Sequence, residues 1–393
     1  MKKTLMIFTL CLLIAVCACR KDSGRSAGTY PAIQAKFGSR IDPNNLANYA
    51  NQSRPAYITK DNSGGNAITD ARATLGRVLF YDKSLSIDNS VSCGSCHRQQ
   101  FAFSDTAIAS NGVAGGTTGR HSMRLVNARF GQEVKFFWDE RAASLEAQTT
   151  KPIQDHAEMG FSGQNGRPDI NSLITRLSAI DYYGELFRFV YGNSTINEQR
   201  LQECLAAFVR SIQSFDSKYD AGRAAAPNDG APFANFTAQE NQGKQLFLAP
   251  PQFDNTGSRT GGGVGCQGCH RAPEFDIDPN SRNNGIIGKV NNAPGLDLFI
   301  TRAPSLRDLE NPAGGSNGAF MHSGGLVTLQ NAIGHYNAIN LAPGNTNLDP
   351  RLTPGGNGQR LNLTGAEMAA LQAFLRTLSG TNVYTDAKWS DPF

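Results

Sequence analysis

Apolar residues recur every three or four positions in only a few stretches of the chain, and each such stretch predicts a short helix. One runs through Leu201, Leu205, Phe208, Ile212 and Phe215, behind a candidate capping box Thr195-x-x-Glu198. A second, near the C-terminus, runs through Met368, Leu371, Phe374, Leu375 and Leu378, behind Thr364-x-x-Glu367. Cys204 falls on the apolar side of the first stripe and reads as a small core residue. Two other short helices are predicted, one after Thr69-Asp70 and one after Thr237-Ala238-Gln239-Glu240. They carry matching stretches, Gly76-Arg77-Val78-Leu79-Phe80 and Gly243-Lys244-Gln245-Leu246-Phe247. The same succession of elements occurs twice, so the folded body is a duplicated helical unit.

Composition adds loops to this picture. Gly 41 and Pro 18 among 393 residues place long irregular connections between the helices. Lys+Arg 37 against Asp+Glu 33 leaves a net charge of +4, and no basic run is present, so no nucleic-acid partner is expected. Lys2 and Lys3 precede an apolar stretch from Leu5 to Cys19, shorter than the ~20 residues a membrane-spanning helix needs. This reads as a secretory signal over residues 1–19, and its end, Val16-Cys17-Ala18-Cys19, resembles a bacterial lipoprotein box with Cys19 as the lipidated residue. A plain cleaved signal is the alternative. Either way the mature protein is expected outside the cytoplasm, in the periplasm, with membrane contact only through a lipid on Cys19. Residues 20–65, rich in Ser, Asn, Gly and Pro without a period, read as a flexible tether.

The chemistry enters with the cysteines. Beyond the leader, Cys93, Cys96, Cys204, Cys266 and Cys269 remain, an odd number that argues against a simple disulfide framework. Four of them form two copies of one motif, Cys93-Gly94-Ser95-Cys96-His97 and Cys266-Gln267-Gly268-Cys269-His270. C-x-x-C-H is the attachment signature of c-type haem. Two thiols add to the two vinyl groups on one haem edge, and the next residue's imidazole turns under the ring to ligate iron. A single copy would leave a zinc site or a redox dithiol open; two copies in matching surroundings favour two covalently bound haem c groups. Each half, short helix, haem motif, loops and closing helix, resembles a cytochrome c domain. The fold class expected is therefore all-α, with two loop-rich cytochrome c-like haem domains, over 66–225 and 226–393, packed around an inter-haem interface.

Further segments narrow the resemblance. Leu79-Phe80-Tyr81-Asp82, Phe137-Trp138-Asp139-Glu140-Arg141, Ser144-Leu145-Glu146-Ala147-Gln148, Pro152, Glu158-Met159-Gly160, Pro304-Ser305-Leu306-Arg307 and Met321-His322-Ser323-Gly324-Gly325 together resemble the bacterial dihaem cytochrome c peroxidase and MauG family, across nearly all of residues 66–393. The resemblance implies a peroxidatic N-terminal haem on His97, with Gln148, Pro152 and Glu158 on its distal side. It implies Trp138 as an electron bridge and a C-terminal haem on His270 as the entry point for electrons from a small cytochrome c or cupredoxin. Hydrogen peroxide must lose a proton from its inner oxygen and gain one on its outer oxygen before the O–O bond breaks, which one carboxylate can do, so Glu158 is the acid/base candidate. An amide at Gln148 can orient peroxide and stabilise charge on the leaving oxygen. Solvated helix residues, and for Trp138 a packing role, are the bland alternatives.

Two departures qualify the peroxidase expectation. At the position where peroxidases carry a Met as sixth ligand of the second haem, the resemblance places Tyr336, as in the MauG branch, with His335 and Met321 as alternatives. A tyrosinate lowers the potential that a thioether would raise. Where peroxidases carry a histidine that blocks the first haem, residues 111–120 contain none. His121 follows, in the place of a family Asn that helps hold calcium, and Met123 replaces a Pro. Calcium is therefore disfavoured, since imidazole suits hard cations poorly. Either His121 swings in as a substitute ligand or the first haem stays open without reductive activation, and the open site is the one expected. His322 is expected near the second haem and His156 at the rim of the first pocket, neither as a ligand. Three functions remain: a peroxidase, a MauG-like oxidase acting on a protein substrate, and a non-catalytic electron carrier. Family members are often dimers, so a homodimer is a further expectation from resemblance.

Overall fold

The computed structural model describes residues 28–393; the expected leader, with Cys19, lies outside the described residues. Twelve α-helices are found among them. The first half holds α1 (Pro31–Phe37), α2 (Asp70–Tyr81), α3 (Cys93–Cys96), α4 (Leu145–Thr149), α5 (Lys151–Gln154), α6 (Ile170–Ser178), α7 (Asp181–Tyr191) and α8 (Glu198–Ser211). The second holds α9 (Lys218–Ala225), α10 (Ala238–Leu248), α11 (Leu329–Asn337) and α12 (Gly365–Arg376). Two small antiparallel ladders complete it, β1 (Pro251–Phe253) with β2 (Arg259–Gly262), and β3 (His270–Arg271) with β4 (Asp276–Ile277). The fold is thus helical and loop-rich as expected, with minor sheet that the helical periodicity does not announce. No described helix is long and apolar enough to cross a membrane.

The duplication is visible in the packing. α2 crosses α8, and α10 crosses α12, each at a glycine. A Cβ on Gly76 would sit 2.0 Å from the Cys204 carbonyl oxygen, and one on Gly243 would sit 1.9 Å from that of Ala370. Only glycine lets these backbones approach so closely. Phe80 then meets Phe208 at 5.1 Å between ring centroids, and Phe247 meets Phe374 at 5.2 Å. Each short helix also buries a cation against backbone carbonyls: Arg77 donates to Ser390 O at 2.6 Å, and Lys244 donates to Asp229 O at 2.7 Å.

Of the two capping boxes expected, one forms, and two further helix starts are capped. Thr69 accepts from Arg72 N, and complete capping boxes form at Thr237/Glu240 and Thr364/Glu367. The Thr195/Glu198 box does not form. Asn197 caps α8 by accepting from Arg200 N at 2.9 Å, which puts Glu198 at the first helical position. There its carboxylate accepts instead from Thr150 Oγ1 at 2.7 Å and Gln154 Nε2 at 2.8 Å, tying α8 to α5. α8 also ends at Ser211, so Ile212 and Phe215 lie beyond it. Ile212 is still buried, and Phe215 packs on Phe130 at 5.0 Å. Cys204 is fully buried as expected, its thiol 3.3 Å from the Tyr191 hydroxyl.

Two buried apolar clusters form the cores, one mainly from residues 33–212 and one from 219–378. Their boundary departs from the sequence expectation in three ways. The described part of the tether is not loose: Ile33, Phe37, Ile41 and Tyr49 are buried in the first core, and Glu185 accepts from the backbone of Ala32 and Ile33 at the start of α1. These four buried side chains anchor the segment, and the polar residues between them are what gave it the composition of a linker. Tyr219 on α9, ahead of the expected limit at 225, packs in the second cluster, so the buried apolar clusters divide between residues 212 and 219. Finally the C-terminal segment returns to the first core, where Val383 and Trp389 are buried.

Candidate active site

Two cavities lie on either side of a shared wall. One, of about 650 Å³, is lined by Cys93, Cys96 and His97 together with Gln148, Pro152 and Glu158. The other, of about 540 Å³, is lined by Cys266, Cys269 and His270 together with Met321, His322 and Tyr336. Both fall in the size range of cofactor pockets. Six residues border both cavities and constitute the wall: His121, Met123, Arg124, Trp138, Arg302 and Pro304.

The attachment motifs are built differently at the two sites. Cys93–Cys96 is one α-helical turn whose capping box pairs Ser92 with Ser95. Cys266–Gly268 is a 3₁₀ turn entered through Gly265 at φ 71°, and His270 begins β3. All four thiols are unbridged, and burial pushes Cys93 and Cys266 up to about 12 and Cys96 to about 11. Burial pushes the imidazoles of His97 and His270 down to about 4, so both are neutral, the form that binds metal. His97 Nδ1 donates to Phe103 O at 3.2 Å, which leaves Nε2 as the free ring nitrogen. That carbonyl belongs to a strained turn, with Ala102 at φ 53° and Phe103 at φ 60°. His270 Nδ1 is buried with no hydrogen-bond partner. Paired thiols, a neutral imidazole and an adjoining cavity, in two copies, fit a haem c in each.

Beside the first cavity a vestibule of about 290 Å³ is lined by Phe137, Arg141, Lys151, Pro152, Gln154, Asp155 and Glu158. Lys151 and Asp155 are exposed, so the vestibule opens to solvent, and Glu158 borders both spaces. Burial pushes the Glu158 carboxyl up to about 7; repulsion from Asp155 adds to this and Arg141 opposes it. Arg141 donates to Asp139 at 2.7 Å and lies 3.6 Å over the Phe137 ring. His156 lines neither cavity and bonds Ser162 Oγ at 3.0 Å.

Trp138 is 8% exposed and faces both cavities. Its indole N–H donates to His121 O at 2.8 Å, its own carbonyl accepts from Thr301 N and Arg302 N, and its ring meets His322 at 6.3 Å. His121 is held at three points. Its Nδ1 donates to Ala107 O at 2.9 Å, its backbone N–H donates to His322 O at 2.8 Å, and its carbonyl takes the Trp138 bond.

In the second cavity Asn284 Nδ2 lies 3.3 Å from Tyr336 Oη and 3.1 Å from Met321 Sδ, so it touches both candidate ligands. Burial pushes the Tyr336 phenol well above its ordinary value. His335 points elsewhere, with Nε2 2.8 Å from Asn284 O, and does not line the cavity. His322 Nε2 donates to Gly288 O at 3.0 Å. The sequence reading overlooked Arg124, Asn284 and Arg302; a cation within Met123-Arg124-Leu125-Val126 was the available signal for the first.

Comparison with known proteins gives the family. The family model described as di-haem cytochrome c peroxidase matches residues 70–226. MauG, the methylamine utilization protein of Methylorubrum extorquens, is 30% identical over 281 residues, covering 69% of this chain and 70% of that protein. MauG of Methylophilus methylotrophus is 28% identical over 326 residues, covering 80% and 84%. The cytochrome c551 peroxidase of Nitrosomonas europaea is 23% identical over 318 residues, covering 78% and 80%. A crystal structure of a MauG-like protein associated with microbial copper homeostasis superposes with a TM-score of 0.65 at 26% identity, covering 87% of this chain and 99% of that one. These relatives define a class, the cytochrome c peroxidase-type oxidoreductases with two haem c groups. The chain belongs to the dihaem cytochrome c peroxidase and MauG family.

Proposed function

We propose that this protein is a dihaem c-type peroxidase of the bacterial envelope, reducing hydrogen peroxide to water with electrons from a small cytochrome c or cupredoxin. His97 in the first cavity and His270 in the second would each hold a haem c, and bound haem would supply the redox iron that relays the donor's two electrons to peroxide. Glu158 takes the proton from the inner peroxide oxygen and returns it to the outer one, so that the O–O bond breaks and the outer oxygen leaves as water, and the inner oxygen becomes the second water by taking the donor's two electrons and two protons from solvent. Gln148 orients peroxide and Pro152 shapes the pocket. Trp138 lies in the wall between the electron-entry and reaction cavities. The expected leader and Cys19 support a lipid-anchored periplasmic location.

The observation that carries this reading is Glu158, whose carboxyl is held at about 7 where the solvent-open vestibule meets the cavity beside the first C-x-x-C-H motif. The test is steady-state peroxide reduction by the haem-loaded protein with a reduced donor. Glu158→Gln should keep its haem and lose about 10²–10⁴-fold in rate. Unchanged turnover would remove Glu158 from the mechanism, and peroxide-inert wild-type protein would leave only the electron-carrier function.

Tyr336 favours a second reading. A phenol at the second cavity, where a thioether would suit a high-potential electron entry site, supports a MauG-like oxidase that withdraws electrons from another protein's side chains. Peroxide turnover that depends on an added protein substrate, and not on a reduced donor, would select it.

A further inference from the structure

We propose that Arg124 is a carboxylate-binding residue in the wall between the cavities, and that its ligand is a haem propionate. The inference rests on the haem reading above. Arg124 borders both cavities. Its Nε is buried without a hydrogen-bond partner, and its terminal nitrogens make no hydrogen bond or ion pair among the described residues. A guanidinium keeps its charge and offers five donors in a fixed fork that matches a carboxylate. Burying it unpaired is costly, so the site calls for an anion.

The neighbouring cations do not share this need. Arg302, the other cation of the wall, donates to Lys135 O at 2.5 Å, pairs with Asp276 at 3.8 Å and covers the Phe136 ring at 4.9 Å. Arg120 is paired with Asp139 and Asp297, and Arg351 with Asp349 and Asp278. Arg282 is exposed to water and Lys289 is half-buried. Burial, with Arg124 nearby, lowers the His121 pKa and so favours its neutral form, and its Nδ1–H is committed to Ala107 O.

The rival role is a counter-charge for the buried Asp308. That carboxylate attracts Arg124 but forms no ion pair with it. It is already bonded by Gly380 N at 2.9 Å and Tyr384 Oη at 3.1 Å. Asp308 therefore offsets part of the Arg124 charge and leaves its donors unused. A haem c brings two propionate carboxylates into its cavity, on the edge remote from the thioether bonds, and these are the anions the fork can take.

The test uses the full haem-loaded chain, with haem content counted, potentials taken by spectroelectrochemistry, and the propionate bending band read by resonance Raman. A cation near the haem favours the added electron, so Arg124→Gln should lower the potential of at least one haem, shifting its reduction equilibrium about tenfold, or about 59 mV. Arg124→Lys keeps the charge but not the fork. It should hold most of the potential yet move the propionate band, and this keeps the test decisive if the Gln variant fails to load haem. Unmoved potentials in Arg124→Gln, or an unmoved propionate band in Arg124→Lys, would overturn the proposal. A wild-type chain carrying no haem would overturn the reading beneath it.

Discussion

At Glu158, burial and Asp155 both disfavour the charged carboxylate, which sets its titration at about 7, where a group can both accept and return a proton. Glu158 must be ionised to take the first proton, so kcat/KM for peroxide should rise with pH through about 7. In Glu158→Gln that ascending limb should vanish; an identical limb in a pH series of the variant would assign it to another group. On the ligation proposed for Tyr336, Tyr336→Met would exchange a hard anionic ligand for a thioether and should raise the second haem's potential by more than about 59 mV, a tenfold shift in its reduction equilibrium. A redox titration showing no rise would point to Met321, which Asn284 also touches, as the ligand already in place. The thiols, His97 and His270 were legible in the sequence because haem attachment is local chemistry written in five consecutive residues. Gln148, Pro152, Glu158 and Trp138 were legible only through resemblance, and the structure brings them to the first cavity or its wall. Arg124 escaped notice because its significance lies in having no partner, and lack of a partner is a property of the folded wall that spacing does not encode.

Among the elements, the two helix pairs depend on their glycine crossings. Gly243→Ala would drive a methyl to 1.9 Å from the Ala370 carbonyl oxygen, an overlap with backbone that cannot swing aside. Overpacking of this kind costs about 1–3 kcal/mol, and chemical denaturation should show it as a lower midpoint; an unchanged midpoint would mean that α10 and α12 separate freely. The periodicity located α8 and α12, and the matching Gly76 and Gly243 stretches located α2 and α10, because the apolar faces of each pair pack against one another within one half. It misplaced the start of α8 because two plausible caps, Thr195 and Asn197, stand two residues apart. Tertiary bonds from Glu198 to Thr150 and Gln154 accompany the nearer one. The segment before α2 was misread for a related reason. Its composition is that of a linker, but Ile33, Phe37, Ile41 and Tyr49 reach a core that other elements build.

For the whole molecule, the two halves are joined by more than the chain between α8 and α9. Arg307, fully buried, pairs with Asp220 at 2.9 Å and reaches Pro273 O, fastening the junction from the second core. The C-terminal segment then clasps the first half. Tyr49 Oη donates to Lys388 O, Tyr81 Oη to Trp389 O, and Gln99 Nε2 to the carbonyls of Val383 and Asp386. Because Gln99 is two residues from His97, the clasp also steadies the first attachment motif. Trp389→Ala should cost about 3–5 kcal/mol and lower the thermal midpoint of the first half; an unaltered midpoint would mean that the clasp is not part of the folded core.

The central claim is a division of labour, an open site on His97 and a closed one on His270. His121 is held in the wall at Nδ1, at its backbone N–H and at its carbonyl, and its unpartnered Nε2, which borders the first cavity, is the group that would close the first iron if this claim is wrong. Electron paramagnetic resonance of the fully oxidised, haem-loaded protein tests this directly. The account predicts one high-spin and one low-spin ferric haem before any electron is added. Two low-spin haems, with a high-spin signal emerging only after one-electron reduction, would contradict it.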